Sequence, residues 1–321
     1  MAHIVFPSPD VFSEDSVSPE TRAINSEIVK LLDEAPDQWS FAPAVRRARR
    51  RQGHGPFPLA PRSERATTLD IEGPHGPIPL RIISPDNPSG VYLHIHGGGW
   101  TIGAADEQDP RLERIADNCN LAVVSVEYRL APEHPYPQGP DDCEAAALWL
   151  VKSAMDRFGT DRFAIGGESA GAHLSLVTLL RLRDRHGLTP FRAANLVAGC
   201  FDLRLTPSAA TWGEEKLVLN TRDMRKFIEC FLRDEHAPDD PDISPIFADL
   251  AGLPPALISV GTRDPLLDDS LFLAPRWAAA GNDTELAVYP GGAHVFMAFP
   301  GDLAEQSLAR MDSFLSKAIP A

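Results

Sequence analysis

The stretch that most constrains this chain is residues 163–172, Phe-Ala-Ile-Gly-Gly-Glu-Ser-Ala-Gly-Ala. Residues 163–165 form a short apolar run that reads as a strand, and residues from 172 to 185 read as a helix. Between them lies Gly167-Glu168-Ser169-Ala170-Gly171, a G-x-S-x-G turn in the place of a nucleophile elbow. A serine at the tip of so tight a turn needs small residues two positions away on either side, because the incoming strand and outgoing helix nearly touch. Gly167 and Gly171 meet that need, and Ala170 leaves the helix start uncrowded. The free N–H groups of a helix N-terminus also suit a developing negative charge. Taken alone, the stretch equally suits a strand-to-helix turn without chemistry, so the rest of the chain decides.

From residue 66 onward, strand and helix patterns alternate. Strands are expected over 66–71, 78–83, 91–96, 121–127, 195–200, 255–260 and 285–289, besides the one that leads into the turn. Helices are expected over 110–118, 141–155, 267–280 and 304–317. The run 121–127 is almost continuously apolar, as in a strand buried on both faces. This succession implies an α/β chain with a mostly parallel sheet and helices on both sides. Residues 202–242 break the pattern, being too long for a simple connection. They hold an expected helix over 221–233, with Met224, Phe227, Ile228 and Phe231 at helical spacing, which packs as core or caps a pocket. Ahead of the core, residues 1–18 read as loosely held. Residues 19–33 read as a helix capped by Ser18, and residues 42–52 as a second helix carrying Arg46, Arg47, Arg49, Arg50 and Arg51.

That basic run invites a nucleic-acid reading, but the formal net charge is −15, which opposes polyanionic partners and leaves a solvated helix face as the expectation. The 321 residues and 43% hydrophobic content suit one large globular unit. Cys119, Cys143, Cys200 and Cys230 show neither C-x-x-C spacing nor a histidine ladder, so no metal site is expected, and free thiols in a reducing compartment are. The first residues carry no signal-peptide pattern, and no apolar run approaches the roughly 18 residues of a membrane helix, so a cytoplasmic protein without stable membrane insertion is expected. His94 and His96 alternate along a strand; with no third ligand apparent they read as packed side chains.

A second glycine-rich segment, His96-Gly97-Gly98-Gly99-Trp100, ends the strand at 91–96. Glycines there let backbone amides approach a ligand closely. Neither the P-loop lysine pattern nor G-x-G-x-x-G occurs in it. Two more blocks follow in order: Glu127-Tyr-Arg-Leu-Ala-Pro-Glu-His134, and Asp264-Pro-Leu266 with His294 in Gly291-Gly-Ala-His-Val295. With the four blocks together, the chain resembles the hormone-sensitive-lipase-like family of α/β-hydrolase esterases, also called bacterial family IV, over most of residues 66–318. Glu168 departs from that family's commoner Asp or Thr and is expected to tune the elbow. Glu133 and His134 belong to a block expected to brace the loop nearby, and Asp268 and Asp269 are expected on a helix surface.

The resemblance implies an α/β-hydrolase fold with a helical cap: residues 1–55 as N-terminal cap helices, 56–202 and 243–321 as catalytic core, 203–242 as a cap insertion. It implies Ser169 as nucleophile, His294 as base and Asp264 as its orienting acid, with oxyanion donors at the backbone N–H groups of Gly98, Gly99 and Ala170. The chemistry stands on its own terms, since a serine hydroxyl needs an adjacent base and a carboxylate fixes the tautomer of an imidazole. Trp39, Phe41, Trp100, Trp212, Phe227 and Phe231 are candidate pocket linings. The implied reaction is hydrolysis of short- to medium-chain acyl esters, a small-molecule substrate, with no cofactor and no metal, in a chain that pairs as a homodimer through its last strand and helix. Two other readings stay open: an amidase or peptidase with the same trio, and a non-catalytic receptor of the kind represented by plant gibberellin receptors, which resemble the family but lack the histidine present here at 294.

Overall fold

The computed structural model describes residues 4–233 and 236–320. Its centre is a sheet of strands β1 (Ile4–Val5), β2 (Thr67–Ile71), β3 (Ile78–Ile83), β4 (Gly90–Ile95), β5 (Leu121–Val126), β6 (Phe163–Glu168), β7 (Phe191–Val197), β8 (Ala256–Arg263) and β9 (Thr284–Ala293). Across the sheet the order is β1-β9-β8-β7-β6-β4-β5-β3-β2. All neighbours from β1 to β5 run parallel, while β3 is antiparallel to both β5 and β2. Helices α1 (Pro19–Glu34) and α2 (Pro43–Arg51) precede the core. After them come α3 (Asp109–Cys119), α4 (Gln138–Phe158), α5 (Ala170–His186), α6 (Pro207–Thr211) and α7 (Thr221–Phe231) in the insertion, then α8 (Leu267–Ala279) and α9 (Asp302–Ala318). None is long and apolar enough to cross a membrane, among the described residues.

The period-two pattern of the strands builds two apolar layers. Val91, Leu93 and Ile95 of β4 and Ala122, Val124 and Val126 of β5 join the larger core, which α4 and α5 cover. Tyr92, Leu121 and Val123 point the other way, into a smaller cluster with Leu112 and Ile115 of α3 and Leu315 of α9. The chain steps from β4 to β5 and then crosses β4 to reach β6. The loops that leave β4 and β6 therefore part at a topological switch point, where open α/β sheets form a crevice. The glycine-rich turn and the Ser169 turn both lie there.

Several boundaries differ from the sequence expectation for identifiable reasons. β7 spans Phe191–Val197 instead of 195–200, because Ala198 turns to a φ of 47° and ends the strand. α4 starts earlier because Gly139-Pro140 falls in its first turn, where a missing proline N–H costs nothing, and it stops at Gly159 in a left-handed conformation. Ser18 caps α1 by accepting from Thr21 N, as expected.

Residues 4–16 are not loosely held, contrary to the expectation for 1–18, of which residues 1–3 lie outside the described residues. β1 adds to the sheet beside β9, pairing Ile4 with Thr284 and Val5 with Glu285, and two short 3-10 turns follow. The last strand expected to form a dimer edge thus carries the chain's own N-terminal strand over those two residues. The four cysteines are free; three are buried and Cys230 is half-buried.

Candidate active site

β6 delivers the chain into Ser169 at φ 56° and ψ −122°, a conformation that costs an L-residue on the order of 1–3 kcal/mol and persists only where its surroundings hold it. Ser169 N–H donates to Val197 O of β7 at 2.8 Å, fixing the tip to the neighbouring strand. The glycines flanking it are required by crowding at the end of β4. A Cβ on Gly167 would lie 2.1 Å from Ile95 O, and one on Gly171 only 1.9 Å from the same oxygen.

Asp264 follows the end of β8, and His294 follows the end of β9. Both are buried. His294 Nε2 lies 2.9 Å from Ser169 Oγ, and its Nδ1 lies 3.1 and 3.0 Å from the two oxygens of Asp264. Asp264 Oδ1 also accepts from Leu266 N at 2.9 Å, which sets the carboxylate's direction. With an acceptor at Asp264, the imidazole carries its proton on Nδ1 and turns a free lone pair toward the serine hydroxyl. Three parallel strands, distant in sequence, thus bring a hydroxyl, a base and a carboxylate into one hydrogen-bonded line.

The glycine-rich turn after β4 sits beside the serine: a Cβ on Gly97 would fall 3.4 Å from Ser169 Cβ. Gly98, Gly99 and Trp100 follow one another at φ 118°, 56° and 59°. Gly97 N–H donates to Glu168 Oε1 at 3.0 Å, whereas no hydrogen bond among the described residues takes the N–H of Gly98 or Gly99. Ala170 opens α5, so its N–H also lacks an intrahelical acceptor. These three amides are the donors the arrangement can offer to an anionic oxygen next to Ser169. The turn is braced from behind by the block that begins at Glu127. Glu127 Oε2 accepts from Ala105 N at 2.7 Å, Tyr128 O–H donates to His96 O at 2.9 Å, and Ala131 N–H donates to Trp100 O at 2.8 Å. Glu133 braces it more remotely by pairing with Arg47, and the His134 ring bonds Gln138 at the start of α4.

Glu168 points to the opposite face of β6, as strand alternation requires. Its buried carboxylate accepts from His94 Nε2 at 3.2 Å and from Arg111 Nη1 at 3.0 Å, in addition to Gly97 N. Burial alone would push this carboxyl up; His94, Arg111 and the Gly97 N–H outweigh it and hold the group at about 2. His94 also bonds Ser125 Oγ at 2.8 Å, and His96 stacks on Tyr128, so both strand histidines are packing residues. Burial pushes His96 down to about 4 and keeps it neutral.

The six candidate pocket residues divide. Phe227 lies against the turn, since a Cβ on Gly99 would stand 2.5 Å from its ring. Trp39 meets Phe227 edge-on at 4.9 Å, and its indole N–H donates to Asp223 of α7 at 2.6 Å. Trp100 and Phe231 are buried and stack on each other at 4.7 Å, backing the turn from inside. Trp212 is half-buried near the end of β8, where Arg263 lies over its ring, and Phe41 lies under Arg49.

Two expectations are corrected. Arg46, Arg47 and Arg50 of α2 do not lie on a solvated face, whereas Arg51 is exposed as expected. Arg46 is buried, stacks over Trp39 at 4.3 Å and donates to Thr101 Oγ1 at 2.8 Å; Arg47 bonds Thr101 O and Glu133, and Arg50 pairs with Glu107. They clamp the N-terminal segment onto the loop that follows the glycine turn. Asp269, expected on a helix surface, is fully buried. Its carboxylate accepts from Phe201 N at 2.6 Å, Asp202 N at 3.0 Å and Thr206 Oγ1 at 2.7 Å, and burial pushes it up to about 7 against those donors. Asp268 is also engaged, accepting from Ser208 N at 2.8 Å. The start of the insertion is therefore tied to the helix that follows Asp264. His173, a single histidine on the apolar helix α5, carries no local signal in the sequence.

Comparison with known proteins places these features in company. Residues 92–298 match the family described as alpha/beta hydrolase fold. Carboxylic ester hydrolase LipN of Mycobacterium tuberculosis is 38% identical over 241 residues, which are 72% of this chain and 64% of that protein, so the chain spans less than two thirds of this relative. Carboxylesterase NlhH of the same species is 36% identical over 282 residues, 84% of this chain and 87% of the relative. Among solved structures, a hyperthermophilic esterase from the archaeon Pyrobaculum calidifontis superposes with a TM-score of 0.82 at 27% identity, covering 94% of this chain and 98% of the other. A hormone-sensitive lipase from a metagenome library gives 0.81 at 27% identity, covering 93% and 98%.

Proposed function

The chain belongs to the α/β-hydrolase fold family, among its hormone-sensitive-lipase-like esterases, and from that premise we propose that it is a serine carboxylesterase acting on short- to medium-chain acyl esters. The observation that carries the reading is the line from Ser169 Oγ through both nitrogens of His294 to Asp264, with contacts of 2.9, 3.1 and 3.0 Å. His294 Nε2 takes the Ser169 proton as Oγ attacks the ester carbonyl. Asp264 holds the Nδ1 proton and stabilises the imidazolium that forms. The amides of Gly98, Gly99 and Ala170 receive the tetrahedral oxyanion, each worth about a hundredfold or more in rate. The alcohol departs with the proton from His294. Water, deprotonated by the same nitrogen, then releases the acid from Ser169.

In this reading the described residues of 203–242 and those of the N-terminal segment from α1 to residue 55 form one cap over the site, whereas β1 belongs to the core sheet. The Trp39–Asp223 bond joining the two segments and the Phe227 ring against Gly99 support it. Phe227 and Trp39 then bound the acyl pocket. The four unpaired thiols suit a reducing compartment, the cytoplasm.

A series of p-nitrophenyl esters of rising acyl length, run on the wild type and on Ser169→Ala, tests the proposal. We expect turnover that is greatest for short to medium chains and absent in the variant. Persistent turnover in Ser169→Ala would overturn the assignment of the nucleophile. Faster cleavage of a matched anilide than of the ester would make the chain an amidase instead.

A further inference from the structure

The amides of Gly98 and Gly99 pose a positional problem. If they are to receive an anion they must stay unpaired, so no hydrogen bond of their own can aim them. Aim has to come from the groups that hold the rest of the turn, in which Gly98, Gly99 and Trp100 take positive φ values in succession. The Gly98 carbonyl is held by Thr101 N and Ile102 N, and the Trp100 carbonyl by Ala131 N. The Gly97 carbonyl, in the same peptide unit as the Gly98 N–H, is held by His96 Nδ1 at 2.9 Å, and a further directional contact is made by the Trp100 side chain. Its indole N–H donates to His173 Nδ1 at 3.1 Å, with the rings edge-to-face at 86°.

His173 stands one helical turn after Ser169 on α5. Its other nitrogen, Nε2, lies 2.8 Å from Ile243 O, where the chain returns from the insertion. A carbonyl accepts only from an N–H, so that contact fixes the proton on Nε2 and leaves Nδ1 free to accept from Trp100. Burial pushes His173 down to about 4, which keeps this acceptor in place at neutral pH. One neutral imidazole thus joins the serine helix, the glycine turn and the end of the insertion.

We propose that His173 is a positioning residue for the acyl-transfer reaction: it holds Trp100, and through Trp100 the Gly98 and Gly99 amides, in the orientation that receives the oxyanion. The inference rests on the acyl-transfer reading given above, and it assigns His173 no contact with substrate. Its role is directional, so loss of His173 weakens stabilisation of the transition state more than binding of the ester.

The test compares each ester with its thionoester, in which sulfur replaces the carbonyl oxygen and accepts hydrogen bonds poorly. The ratio of the two kcat values reports how well the amides engage the oxyanion. For His173→Ala we expect kcat on the oxygen ester to fall about ten- to a hundredfold, the thionoester rate to change much less, and KM to stay within about threefold. His173→Asn, which offers Trp100 an oxygen near the position of Nδ1, recovers much of the ratio. Trp100→Phe removes the donor while keeping a ring on Phe231, and lowers the ratio as His173→Ala does. Equal loss on both substrates in either variant means that the residue only packs, and overturns the proposal. Should His173→Ala fail to fold, Trp100→Phe decides alone by the same criterion. A wild type inactive on all esters would end the acyl-transfer reading itself, whereas an active wild type whose variants keep the ratio would refute only the role of His173.

Discussion

Replacing Glu168 by glutamine removes one charge from the back of the Ser169 turn while keeping its shape. In the wild type this carboxylate, 4% exposed, accepts from His94 at 3.2 Å, Arg111 at 3.0 Å and Gly97 N at 3.0 Å. Its proton affinity is set at about 2 instead of the ordinary 4.5. Since each tenfold change in proton affinity is worth about 1.4 kcal/mol, the ionised form contributes on the order of 3 kcal/mol to folding. The folded value lies below the unfolded one, so this stability is present above pH 4.5 and is lost as pH falls toward 2. The amide that replaces the carboxylate supplies one acceptor oxygen and turns an NH2 toward donors. Urea unfolding at pH 7 should therefore show Glu168→Gln less stable by about 3 kcal/mol, with the difference closing as pH drops below 4.5. A loss under about 1 kcal/mol at pH 7, the size of an ordinary neutral hydrogen bond, would refute the reasoning. So would a difference that stays constant through the acid range.

Other outcomes follow from the same geometry. Gly171→Ala sets a Cβ 1.9 Å from Ile95 O, a backbone atom that cannot swing aside, and should cost about 3 kcal/mol or more by thermal or denaturant unfolding. At Gly187, where nothing lies within 4 Å of a Cβ and only the φ of 65° opposes, Gly187→Ala should cost about 1–2 kcal/mol, so equal losses at both sites would contradict the crowding argument. Asp264→Asn leaves Leu266 N an acceptor but presents His294 Nδ1 with the wrong tautomeric partner; kcat should fall by about 10⁴ with little change in unfolding midpoint, and a loss below about tenfold would count against the role of Asp264. Phe227→Ala clears the ring from above Gly99 and should move the preferred acyl length upward in an ester series; an unchanged optimum would remove Phe227 from the pocket wall.

The parts of this molecule legible in its sequence are those whose chemistry is local. Gly167 and Gly171 around Ser169, and three glycines after a strand, carry their geometric reasons in adjacent residues, so the turns could be drawn before any coordinates. The near-continuous apolar run at 121–127 similarly marked a strand buried on both faces. What stayed hidden depends on partners far along the chain. Asp269 looks like an ordinary acid in a helix's first turn until Phe201, Asp202 and Thr206 close around it. Arg46 looks like one of five surface cations until Trp39, Phe227 and Thr101 enclose it. His173 has no local pattern, because its meaning lies in Trp100 and Ile243, each about 70 residues away. β1 pairs only two residues, too short for a periodic signal, and its partner is near the opposite end of the sequence.

The central claim is that Ser169 becomes covalently acylated while His294 and Asp264 make its hydroxyl reactive. A fluorophosphonate, which forms a stable tetrahedral adduct with an activated serine, tests it most directly when followed by intact-mass and peptide mass spectrometry. The account requires one adduct per chain, on the peptide containing Ser169, formed far more slowly in His294→Ala and not at all in Ser169→Ala. Labelling of another residue, or labelling at Ser169 that proceeds equally fast without His294, would contradict it.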